Sequence, residues 1–154
     1  MPRVLIVAYG NPLRCDDGIA WRAADALAPK VSASEVEILR LHQLTPELAD
    51  TVRIFHAVIF VDAASCDRSQ NKPGMIRLEE IRGGTSEPAR FSHVLSPKKV
   101  LDLALQLYGA SPSAFVITVA GKNFGHGDSL SAPVASALPE LVARIEHLIK
   151  QSNP

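Results

Sequence analysis

Apolar and polar positions in this chain switch between two periods. Continuous apolar runs at Val4–Ala8 and Ala57–Val61 read as strands covered on both faces. The first strand spans Arg3 to Tyr9. A second, Val36 to Leu41, carries Val36, Ile38 and Leu39. Gly74–Leu78 and Phe115–Ala120 complete a set of five. Between them the period becomes helical. Ile19, Ala20, Ala23, Ala24 and Leu27 share one side of a helix from about Gly18 to Leu27, stopped by Pro29. Thr45 can cap a short helix over about Pro46–Ile54, where proline suits the first turn. Ser96 and Pro97 open a helix bearing Val100, Leu101, Ala104, Leu105 and Tyr108, and Gly109 ends it. Val134, Leu138, Leu141, Val142, Ile145, Leu148 and Ile149 define the last helix, after which Gln151–Pro154 is expected to fray.

The order βαβαβ-β-αβα predicts an α/β three-layer sandwich: a mostly parallel five-stranded sheet, one antiparallel strand, and helices on both faces. About ten residues separate the third and fourth strands, too few for a parallel crossover. Those two are therefore expected to pair antiparallel. No linker interrupts the pattern, so residues 1–154 are expected to form one domain.

Composition narrows the function classes. Sixteen Lys plus Arg balance sixteen Asp plus Glu, with no basic block or acidic tail. Nucleic acid and anionic membrane are disfavoured as partners. The apolar run at the N-terminus is too short for a signal peptide core or a membrane span, and a cytoplasmic monomer is expected. Two cysteines, Cys15 and Cys66, do not make a disulfide framework. G-x-G-x-x-G, P-loop, H-E-x-x-H and G-x-S-x-G patterns are all missing, which disfavours dinucleotide binding and the common hydrolase classes.

The candidate chemistry lies where strands end. The first strand breaks at Gly10-Asn11-Pro12 and leads to Asp16-Asp17-Gly18, just before the first helix. Ligands of open α/β sheets bind beyond the carboxyl ends of the strands. Asp62 ends the apolar third strand, where a carboxylate wants a partner or a metal. If the first and third strands are neighbours, as in a flavodoxin-like order, Asp17 and Asp62 reach one crevice. The plainer reading makes Asp16 or Asp17 a helix cap. His93 precedes the Ser96-Pro97 helix start. Two carboxylates and an imidazole are a mixed oxygen–nitrogen set suited to nickel, zinc or iron, although an isolated histidine is more often structural or exposed. Cys15 reads as a soft metal ligand or, more commonly, a small hydrophobe. Cys66 can approach it only if the loops allow. His42 faces the same edge as a rim or substrate contact. His126 reads as loop surface, and His56 and His147 as bystanders.

Gly10-Asn11-Pro12-Leu13-Arg14-Cys15-Asp16-Asp17-Gly18 resembles the N-terminal signature of the hydrogenase maturation proteases. Phe60-Val61-Asp62-Ala63, Ser92-His93 and Gly127-Asp128-Ser129-Leu130-Ser131 are similar to that family's later motifs, so the resemblance runs nearly end to end. It implies an endopeptidase that trims the C-terminal extension from the precursor of a nickel–iron hydrogenase large subunit. It also implies that Asp17, Asp62 and His93 contact nickel brought by the substrate. His93 would be a third ligand or general acid/base, and Asp16 a cap or an orienting group. The metal would be a tag for completed loading or a Lewis acid, with no tightly bound cofactor in the free protein. Two departures stand out. Ala20 replaces a frequent glycine, and His42-Gln43-Leu44-Thr45-Pro46-Glu47-Leu48 replaces a glycine-rich loop. The rival readings are a non-cutting metal checkpoint chaperone for the same partner, and a small-molecule hydrolase or nucleotide binder in the same crevice.

Overall fold

A computed structural model of the chain describes residues 3–65, 72–84 and 95–152. Its elements are β1 (Val4–Tyr9), α1 (Ile19–Leu27), β2 (Val36–Leu41), α2 (Leu48–Val52), β3 (Ala57–Ala64), β4 (Ile76–Ile81), α3 (Pro97–Tyr108), β5 (Ser113–Ala120) and α4 (Ala132–Ser152). The sheet order is β2-β1-β3-β5-β4. The first four strands in that order run parallel, and β4 runs antiparallel to β5.

The apolar runs become the middle of the sheet because both of their faces are covered. Val4, Ile6 and Ala8 of β1, with Ala57, Ile59 and Val61 of β3, pack under α1 and α4. Leu5 and Val7, with Val58 and Phe60, pack under α2 and α3. This is the period-two alternation of a strand applied to two cores at once. Alanines at positions 20, 23 and 24 are buried in the interface of α1 with the sheet. At the edge, β4 exposes Arg77, Glu79 and Glu80, charges that discourage further strand pairing.

Several boundaries depart from expectation. The third strand does not stop at Asp62 but continues to Ala64, with Asp62 paired to Thr118 of β5. The fourth strand is shifted to Ile76–Ile81 and pairs with β5, not with β3. Strand β3 is flanked on one side by β1 and on the other by β5, so the open edge lay on β5. The last helix runs through Ser152, whose hydroxyl donates to the Leu148 carbonyl, so Gln151 and Ser152 do not fray. Helix α2 starts later, at Leu48, and Thr45 supplies its backbone carbonyl to the Leu48 N–H without a side-chain cap. Helix α3 follows its signals: the Lys99 N–H donates to Ser96 Oγ at 3.2 Å, and Gly109 ends the helix at φ +66°.

The order places β1 at a switch point. From β1 the chain crosses to β2 on one side, then returns to β3 on the other. The C-terminal ends of β1 and β3 therefore face a common crevice, the place where such sheets bind ligands.

Candidate active-site cleft

Strand β1 ends at Tyr9, and the chain must turn sharply at once. Gly10 has φ +145°, and a Cβ there would lie 2.2 Å from the Asp17 backbone oxygen. No side chain fits, so the turn requires glycine. The loop then closes on itself. The Asn11 N–H donates to Asp17 Oδ2 at 2.7 Å, and Asn11 Oδ1 accepts from the Leu13 N–H at 2.9 Å. The Asp17 N–H donates to the Arg14 carbonyl at 3.1 Å, which closes a 3₁₀ turn over Cys15–Gly18.

The adjacent acids serve different places, and neither caps α1 through its side chain. Asp16 is fully buried. Its Oδ2 accepts from the Lys122 and Asn123 N–H groups and from Ser131 Oγ, each at 2.8 Å, and its Oδ1 accepts from the Ser131 N–H at 2.7 Å. Burial alone would raise its pKa, but these donors outweigh it and hold the group below the ordinary carboxylate range. Asp16 is thus the anchor of the 121–131 loop. Cys15, also buried, packs its Sγ against Gly127, where a Cβ would come within 3.0 Å. That is the small-hydrophobe reading of this cysteine. Cys66 lies outside the described residues.

Asp17 instead faces the crevice. It lines an open cleft of about 510 Å³ with Asp62, Tyr9, Gly10 and the 42–46 segment, and Leu95 contributes from the start of α3. The strand register explains the meeting. Ala8 pairs with Val61, so one step further on Tyr9 comes beside Asp62. Asp62 falls on the α2/α3 side of the sheet because Val58 and Phe60 do. Its Oδ1 accepts from the Ala63 N–H at 2.8 Å, and the Tyr9 hydroxyl bonds to its carboxylate.

Burial pushes the Asp62 carboxyl up to about 7; the bonds from Tyr9 and Ala63 oppose the shift, and the charge of Asp17 adds to it. Burial, and then the negative charge of Asp62, push the Tyr9 phenol well above its usual value, so Tyr9 remains a donor. A carboxyl with a pKa near 7 exchanges its proton at neutral pH, and a cation entering the cleft would displace that proton. Two carboxylates with no lysine or arginine in the lining fit a divalent cation or a positively charged group. Among the described residues, no three of His, Cys, Asp and Glu gather as a metal-holding group.

Of the trio read from the sequence, the structure brings Asp17 and Asp62 to one cleft, and His93 lies outside the described residues. His42 lines the cleft, and its ring meets Trp21 edge-on, with centroids 5.2 Å apart. His56, His126 and His147 are exposed elsewhere. Tyr9 and Trp21 were missed. Tyr9 carried a usable signal, as the last residue of a central strand at the ligand-binding end. Trp21 looked like one more residue of an amphipathic helix. Two further hollows, of about 340 and 360 Å³, are both lined by Val31 and Val36, at the opposite end of β2.

Comparison with known proteins agrees with this layout. No family model and no curated protein matches the sequence. Solved structures do match. The hydrogenase maturating endopeptidase HybD from E. coli superposes with a TM-score of 0.76 at 23% identity, covering 98% of this chain and 94% of that one. The NiFe hydrogenase maturation protease HybD from Thermococcus kodakarensis gives 0.68 at 26% identity, covering 96% and 99%. HycI, a NiFe hydrogenase maturation protease from the same organism, gives 0.72 at 21%, covering 96% and 92%. The resemblance first carried by Gly10–Gly18 is therefore matched by the fold from end to end.

Proposed function

We infer that the chain is a hydrogenase maturation protease: an endopeptidase that removes the C-terminal extension of a nickel–iron hydrogenase large-subunit precursor. The observation that carries this reading is the meeting of Asp17 and Asp62 in one open cleft, at the switch point of a fold shared with proteins named for that activity. The cleft is open enough to admit a protein segment.

In the mechanism we favour, nickel is part of the substrate. It arrives on the precursor, and Asp17 and Asp62 present oxygen ligands to it. His93 supplies a third ligand or a general acid/base; Leu95, two residues later in the sequence, lines the cleft. Asp62 gives up its proton as the cation enters, so engagement is coupled to charge neutralisation. Tyr9 and the Ala63 N–H hold the Asp62 carboxylate in place. The precursor is the partner, and no described helix is long and apolar enough to cross a membrane.

The test is the intact mass of the host's nickel–iron hydrogenase large subunit, with the parent protein and with Asp17→Ala. The variant is expected to leave the subunit heavier by the mass of its C-terminal tail. Fully trimmed subunit in the variant would remove Asp17 from the reaction. A stable complex with the precursor and no tail released by the parent protein would favour the checkpoint chaperone.

A further inference from the structure

The mouth of the cleft contains a feature that the two acids do not explain. Strand β2 ends at Leu41, which pairs with Tyr9, so His42 emerges at the same sheet edge as the acidic site. The Leu41 carbonyl accepts twice, from the Gly10 N–H and from Trp21 Nε1, each at 3.0 Å. The base of the 42–46 segment is therefore tied both to the loop after β1 and to α1. Trp21 stands four residues after Asp17, one helical turn along. Its indole then meets the His42 imidazole at an interplanar angle of 85°, a favoured aromatic arrangement. His42 itself is exposed, and among the described residues no hydrogen bond to its ring is found.

We propose that His42, held against Trp21 at the cleft mouth, is a specificity-determining residue that hydrogen-bonds the main chain of the peptide segment entering between Asp17 and Asp62. The inference rests on the endopeptidase reading and names the contact that reading lacks. An imidazole offers one donor and one acceptor in its neutral form, which matches a peptide group. Its ring is already restrained, so binding costs it little side-chain entropy. Exposed Gln43 beside it has no such support. Leu44, Pro46 and Leu95 give the same cleft apolar walls for the side chains of that segment.

The experiment uses purified, nickel-loaded large-subunit precursor, with release of the tail followed by mass at several precursor concentrations. Parent, His42→Ala, His42→Gln, Trp21→Phe and the Trp21→Phe/His42→Ala double variant are compared. His42→Ala is expected to raise KM about tenfold, the loss of one hydrogen bond, with kcat close to the parent's. His42→Gln, which keeps a donor and an acceptor, should recover part of the loss. Trp21→Phe should raise KM less, and the double variant should equal His42→Ala alone, because Trp21 acts through His42. An unchanged KM in His42→Ala, or a fall confined to kcat, overturns the proposal. Additive effects in the double variant overturn the positioning by Trp21. If the parent releases no tail, the endopeptidase reading fails by itself, and a binding titration with the same precursor decides His42. Binding weakened about tenfold upholds the contact, and equal binding ends it. If the parent neither cuts nor binds the precursor, both readings fall.

Discussion

Asp62 binds its proton more tightly in the folded chain than an unfolded aspartate would, about 7 against roughly 3.9. Between those values the native state holds a proton that the unfolded state has released. Its contribution to stability is therefore full below about pH 4 and is lost as the pH rises through about 7. A shift of this size corresponds to roughly 4 kcal/mol. Asp62→Asn removes the ionisation and should be more stable than the parent at pH 8, with the advantage gone near pH 4. Urea denaturation at both pH values measures the difference, and parallel pH profiles for the two proteins would refute the assignment. The sequence made Asp17 and Asp62 legible because each stands where an apolar strand gives way to polar chain. It could not reveal that Asp16 serves a loop more than a hundred residues away, because no local pattern encodes such a bond.

Elements were legible in proportion to how locally they are determined. Helix α3 has its Ser96-Pro97 start and Gly109 stop written into the chain, and both are used. The partner of β4 was not readable from chain separation, because a short connection gives direction but not which neighbour is free. The two loops that frame the site are a third case. The loop after β1 and the loop after β5 are joined by Asp16, by the pairing of Arg14 with Gly127, and by the Cys15 N–H to the Gly127 carbonyl at 2.9 Å. Asp16→Ala would strand three buried N–H groups and a hydroxyl. We expect a loss of about 3 kcal/mol or more, with amide hydrogen exchange accelerating first over 121–131. A variant with unaltered denaturation midpoint and exchange would show that the loop holds without this anchor.

For the molecule as a whole, the three layers followed from the order of elements and the two-sided burial of β1 and β3. What the pattern left open was the sheet order, which depends on packing between distant segments and decides whether Asp17 and Asp62 meet. With two described carboxylates in the cleft and further ligands supplied by the partner, the free protein should hold nickel weakly. Calorimetric titration with nickel alone is expected to give a Kd above about 1 μM, the range of an incomplete ligand set. Submicromolar binding would mean that the chain carries a full site of its own.

The chain contains a single tryptophan, and the fold puts it at the rim of the cleft. Its indole touches the one segment that replaces the glycine-rich turn of the resembling proteases, and it sits one helical turn from Asp17. The ultraviolet emission of the whole protein is therefore the emission of its cleft mouth. Arrival of a partner there is visible without any label, and an event elsewhere on the surface stays dark unless it reaches that rim.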